Sequence, residues 1–215
     1  MIVLPRKINI AVLVSGGGTN LQALIDAEKN GTLQSGTICL VISDKPDAYA
    51  LTRAISSGIA TAVASKKELG QAGMEARIVR LLADYEIDLI VLAGFLCILS
   101  SDFTRKFDHR ILNIHPSLIP AFCGEGFYGL RVHEAALARG VKLTGATVHF
   151  VNEIPDGGEI ILQKAVHVLK HDTPKTLQER VMRIAEWKIL PEATERIAAK
   201  IRKEEEATRE HLQNS

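Results

Sequence analysis

From residue 8 to residue 115, apolar β-branched runs alternate with stretches of helical spacing, and this alternation restricts the fold more than any other feature of the chain. Ile8–Val14 (INIAVLV) is apolar apart from Asn9 and is stopped by Ser15-Gly16-Gly17-Gly18. A run that is apolar on both faces reads as a buried parallel strand entering a tight turn. Asn20–Lys29 follows, with Leu21, Leu24 and Ile25 at helical spacing. Ile38–Ser43, Ala60–Ala64, Leu89–Ala93 and Ile111–Ile114 repeat the strand pattern. Ala48–Ser57, Met74–Tyr85 and Ser100–Phe107 repeat the helical one, and Gly58 and Gly94 supply stops. Strands and helices alternating at this length predict an α/β fold built on a doubly wound, mostly parallel sheet.

The pattern changes after residue 116. Pro116, Pro120, Gly124, Gly126 and Gly129 make 116–129 a loop. Val132–Arg139 is helical, and Thr144–Val151 and Glu159–Val168 read as two strands forming an antiparallel edge. Leu177–Lys203 predicts a long C-terminal helix that Pro191 is expected to break or restart. The expected organisation is one domain over residues 1–203, with an N-terminal half to about residue 115, a C-terminal half from 116, and a charged tail at 204–215 that frays.

Composition mainly excludes. With 26 basic and 25 acidic residues the formal net charge is +1, so general polyanion binding is not expected and no nucleic-acid partner is predicted. Cys39, Cys97 and Cys123 are odd in number and lack CxxC spacing, which argues against a disulfide framework or a cysteine zinc site and suits a reducing cytoplasm. The N-terminus carries no secretory pattern, and Leu89–Ser101 is too short to span a bilayer, so no membrane association is expected. HExxH and tight His/Asp clusters are missing, and no metal is predicted.

Three motifs carry chemistry. In the first, Ser15-Gly16-Gly17-Gly18-Thr19-Asn20 between strand and helix, glycines let backbone N–H groups converge on a helix N-terminus. Leu21 stands where GxGxxG needs glycine, and the Lys-Ser/Thr of a P-loop is missing, so a single terminal phosphate fits better than a dinucleotide or a nucleoside triphosphate. A plain turn capped by Thr19 or Asn20 accounts for the same residues. In the second, Asn113 and His115 leave one strand on the same face. They pair an amide donor with a proton carrier, as oxyanion stabilisation and proton transfer near neutral pH require; an edge amide and a surface imidazole fit the spacing equally. The third, Ile154-Pro155-Asp156-Gly157-Gly158, is a standard turn sequence unless Asp156 faces His115, where it would raise the imidazole pKa and orient the ring. His149 is a strand histidine expected at most to back the site, and His133, His167 and His171 have no informative neighbours.

Together, SGGGTN, Leu92–Phe95 (LAGF), Asn113–Phe122 (NIHPSLIPAF) and the Asp156 turn, in that order, resemble the folate-dependent phosphoribosylglycinamide formyltransferases along nearly the whole chain. The resemblance implies a Rossmann-like sheet and a catalytic set of Asn113, His115 and Asp156. It also implies a 10-formyltetrahydrofolate co-substrate and the amine of glycinamide ribonucleotide as acceptor, in purine biosynthesis. Gly17, Gly18, Thr19 and Asn20 match the ribonucleotide loop, Glu186 a position on the late helix that contacts the acceptor, and Arg183 on the same face a phosphate partner. Leu96, Cys97, Ile98 and Leu99, with Asn113, match the folate-lining segment. Cys97 stands where the family often has Arg, Gln71 falls near another common Arg position, and the Cys123–Gly129 loop is longer than in some members. Two alternatives are formyltetrahydrofolate hydrolysis, whose enzymes usually add an N-terminal regulatory domain, and a non-catalytic nucleotide-binding module. The RNA-binding domain of methionyl-tRNA formyltransferases has no counterpart here.

Overall fold

The computed structural model describes residues 6–213. Its strands are β1 (Ile8–Val14), β2 (Gly36–Ser43), β3 (Ala60–Val63), β4 (Leu89–Leu92), β5 (Ile111–His115), β6 (Leu143–Phe150) and β7 (Ile160–His167). Its helices are α1 (Thr19–Lys29), α2 (Tyr49–Ser56), α3 (Lys66–Asp84), α4 (Ser101–Lys106), α5 (Leu130–Arg139), α6 (Pro174–Val181) and α7 (Trp187–Gln213), with a π-helical turn at Met182–Glu186 between the last two.

All seven strands form one sheet in the order β3-β2-β1-β4-β5-β6-β7. β1 to β5 run parallel, while β6 and β7 pair antiparallel, as the two-strand edge predicted. β1 is covered on both faces, which is why its sequence does not alternate. Ile10, Val12 and Val14 pack with Leu21, Leu24 and Leu190 on one side. Ala11 and Leu13 pack with Met74, Ile78 and Phe103 on the other. The strand order reverses between β1 and β4, and sheets of this kind bind ligands beyond the carboxyl ends of the strands at that reversal.

Three expectations change. α3 starts at Lys66, a turn and more before Met74, because Ser65 caps it by accepting from the Glu68 N–H (3.4 Å); Gly70 (φ 68°, ψ 176°) then kinks it. Pro191 does not break α7. Trp187 has ψ −6°, which tilts its carbonyl off the helical line where the Pro191 ring would collide; the interruption is instead the π turn upstream. The long helix runs past its expected end at Lys203: α7 continues to Gln213, with Arg202–Glu206 (3.7 Å) and Arg6–Glu205 (3.0 Å) ion pairs along it. Residues 214 and 215 lie outside the described part.

Candidate active site

The glycine loop leaves β1 and enters α1 at Gly18, whose φ of 71° only glycine adopts without strain. A Cβ there would also sit 2.6 Å from that of Ala50, so glycine is needed for the close approach of α2. Arg53 on α2 clamps the loop by donating to the Gly17 carbonyl (2.8 Å). α1 has no side-chain cap, so its first N–H groups are open to an anion.

β5 delivers Asn113 and His115. Its antiparallel partner β6 sets His149 opposite Asn113 and Thr147 opposite His115. Thr147 anchors the chain beyond His115: its hydroxyl donates to the Ser117 carbonyl (2.7 Å) and accepts from the Ile119 N–H (3.1 Å). Asp156 comes from the β6–β7 turn in left-handed backbone (φ 56°). Gly158 lets that turn lie against the Phe150 carbonyl, where any Cβ would collide.

These elements bring one carboxylate between two buried imidazoles. Asp156 Oδ2 lies 3.4 Å from His115 Nδ1 and accepts from the Gly124 N–H at 2.8 Å. Asp156 Oδ1 lies 3.5 Å from His149 Nε2 and 3.4 Å from Asn113 Nδ2. Nε2 of His115 donates to the Phe122 carbonyl (2.9 Å), since a carbonyl only accepts. Burial pushes Asp156 up, but the two flanking imidazoles, His149 and His115, and the Gly124 N–H outweigh it and hold the carboxyl below its ordinary value. For His115 the balance is opposite to the expectation. Burial pulls its pKa down, and Asp156 and the Phe122 carbonyl only partly offset this. Asp156 is therefore anionic and His115 mostly neutral at pH 7.

The triad opens into a cavity of about 690 Å³, of a size suited to a small-molecule ligand. Its apolar wall includes Phe127, Tyr128 and Ile154, with Leu96 (54% exposed) and Ile98 (58%) from the segment after β4. Cys97 and Leu99 line it too, but Cys97 is no substitute cation: burial and then Asp44 push its thiol up to about 11. Gln71 and Glu75 of α3 brace this segment. Gln71 donates to the Ile98 carbonyl (3.0 Å), and Glu75 accepts from the Ser100 N–H (2.7 Å) and hydroxyl (2.6 Å). Gln71 is flagged in the sequence by its position, whereas Glu75 resembles any helical surface acid and carries no such signal.

Asn20 and Glu186 line the same cavity and bond each other, Asn20 Nδ2 to Glu186 Oε2, at 2.7 Å. Burial pushes the Glu186 carboxyl up to about 7, against the opposing Asn20 bond. Asn20 Oδ1 is buried without a partner. The π turn shifts the face presented. Met182 joins Glu186 in the lining, its sulfur accepting from the Thr19 hydroxyl at 3.8 Å, while Arg183 is exposed and outside it. Gly17, Gly18 and Thr19 form the loop beside the cavity and do not line it. Among the described residues no cluster of three or more His, Cys, Asp or Glu side chains could hold a metal, and no helix is long and apolar enough to cross a membrane.

A nucleotide-type sheet that gathers an amide and an imidazole at the carboxyl end of β5 with a carboxylate from the β6–β7 turn, beside an apolar cavity, has the makings of an acyl-transfer site. The formyl transferase family model matches residues 8–194, and the chain belongs to that family. It is 43% identical over 183 residues to the phosphoribosylglycinamide formyltransferase of Haemophilus influenzae, covering 85% of this chain and 83% of that one. It is 45% identical over 195 residues to the human trifunctional purine biosynthetic protein adenosine-3, covering 90% of this chain but only 19% of that protein's length. The structure of glycinamide ribonucleotide transformylase 1 from Symbiobacterium toebii superposes with a TM-score of 0.86 at 40% identity, covering 93% of this chain and 92% of that one.

Proposed function

We propose that this chain transfers the formyl group of 10-formyltetrahydrofolate to the primary amine of glycinamide ribonucleotide, a step of purine biosynthesis, by direct attack without a covalent enzyme intermediate. The observation that carries the reading is the convergence of Asn113, His115 and Asp156 on one cavity that also holds Asn20 and Glu186. The apolar wall around Leu96, Ile98 and Phe127 suits the flat ring system of the folate. The uncapped start of α1 with the glycine loop suits the acceptor phosphate. Three unpaired thiols support a reducing compartment, and we place the reaction in the cytoplasm.

Attack of the amine on the formyl carbon creates a tetrahedral oxyanion and an ammonium. Asn113 donates to the oxyanion. Its second N–H is the available one, because the 3.4 Å contact with Asp156 is long for a hydrogen bond. The ammonium proton passes to the Nδ1 of neutral His115, relayed by Asp156 or by water. The imidazolium so formed lies 3.4 Å from the carboxylate and adds charge-assisted stabilisation. Donors of this kind are worth about 3–4 kcal/mol each in the transition state. The same pair returns the proton to the departing folate nitrogen.

Asp156→Asn tests this assignment. The variant should fold as the parent and lose roughly 10²-fold or more in kcat, on the scale of a deleted transition-state group. Near-parental kcat would remove Asp156 from the mechanism.

A further inference from the structure

His149 is buried, directly opposite Asn113 in the β5–β6 register, and hydrogen-bonded at both ring nitrogens. Nδ1 is 2.7 Å from the carbonyl of Phe150, which can only accept, so Nδ1 carries the proton. A neutral ring then has a lone pair at Nε2, which lies 3.1 Å from Asn113 Nδ2. An amide nitrogen only donates, so of the two neutral tautomers only Nδ1–H satisfies both ends of the imidazole. The other tautomer would leave Phe150 without its donor and set N–H against N–H at Asn113.

We propose that His149 is the positioning residue for Asn113. Its tautomer, locked by the Phe150 carbonyl, selects the amide orientation that presents Nδ2 and holds one of its two N–H bonds, leaving the second for the oxyanion. The inference rests on the formyl-transfer reading of the site. Asp156 biases the amide in the same direction, because its Oδ1 lies 3.4 Å from Asn113 Nδ2, within electrostatic reach though long for a hydrogen bond. If the amide flipped, its carbonyl would face both the His149 lone pair and the Asp156 carboxylate, a doubly repulsive state. A histidine here is therefore more than a filler of the strand pair: it turns a backbone carbonyl into a preference about which end of a side-chain amide faces the substrate. No chemistry passes through His149, so it should act only through Asn113.

Kinetics and NMR test this together. His149→Leu should lower kcat by about 10- to 100-fold, somewhat less than the full loss of an oxyanion donor, with the acceptor KM within about threefold. His149→Gln, whose amide oxygen can accept near the Nε2 position, should recover most of that loss. In an Asn113→Ala background, His149→Leu should cost less than about twofold, because residues acting as a unit are not additive. Equal losses in both backgrounds, or no rescue by Gln, would overturn the proposal. ¹⁵N chemical shifts of histidine-labelled parent protein, assigned through bonds, should show His149 as the neutral Nδ1–H form at pH 7.5; an Nε2–H form refutes the lock even if no variant folds. If Asn113→Ala itself leaves kcat unchanged, the formyl-transfer mechanism fails; if that variant is crippled and His149→Leu is not, only the positioning role fails.

Discussion

Glu186 is the most exposed weakness of this fold to pH, and its replacement by Gln gives a quantitative test. In the folded chain burial raises its carboxyl from 4.5 to about 7. A shift of that size corresponds to about 3 kcal/mol, at about 1.4 kcal/mol per pH unit. Because the folded value is the higher one, the unfolded chain releases the proton first as pH rises. Stability from the neutral acid is full below pH 4.5, falls as pH climbs, and is lost by the time pH passes about 7. Glu186→Gln keeps an acceptor for Asn20 and cannot ionise, so it should match the parent near pH 4.5 and exceed it by up to about 3 kcal/mol at pH 8. Urea unfolding at half-unit intervals, followed by the fluorescence of the single tryptophan, Trp187, next to the substituted residue, reads the difference directly. The gain should come with a weaker acceptor KM, because the carboxylate is lost from the cavity. Parallel stability curves for the two proteins from pH 4.5 to 8 would refute the reasoning that Glu186 is buried as an acid.

Other substitutions probe separate parts of the site. Gly18→Ala forces a left-handed alanine and a clash with Ala50, so it should destabilise by at least about 1–2 kcal/mol and raise the acceptor KM; an unchanged KM would detach the loop from phosphate binding. His133 is fully buried, neither ring nitrogen has a partner, and burial with the nearby His115 lowers its pKa to about 4. Its stability contribution is full above pH 6.5 and lost as pH falls through about 4, so His133→Leu should flatten the acid limb of the stability curve by up to about 3 kcal/mol. An acid limb as steep as the parent's would show that His133 is already solvated.

The residues differ in how openly the sequence declares them. Ile8–Val14 and the glycines after it are legible because a doubly buried strand and a left-handed turn each demand particular residue types. Asn113, His115 and Asp156 are legible as types, but not as neighbours: residues 113 and 156 are brought together by the β5–β6 pairing and a turn whose sequence is ordinary. The protonation of His115 is hidden for a related reason. The sequence displays the carboxylate that raises its pKa, whereas the burial that lowers it comes from packing. The Phe122 carbonyl on His115 leaves no trace at all, since any residue supplies a carbonyl. The π turn is invisible to a 3.6-residue period, which puts Arg183 on the face that Met182 occupies.

The central claim is that the formyl group moves to an amine held in this cavity, and tracing the group itself tests it most directly. The chain is incubated with 10-formyltetrahydrofolate carrying ¹³C in the formyl group, with and without glycinamide ribonucleotide, and the label is followed by NMR. Transfer predicts that the label reaches the N-formyl group of the ribonucleotide in step with release of tetrahydrofolate, and that almost none moves when the acceptor is omitted. Label released as formate at the same rate with or without the acceptor would mean that water is the nucleophile, and no movement of label in either case would mean that the cavity binds without catalysing.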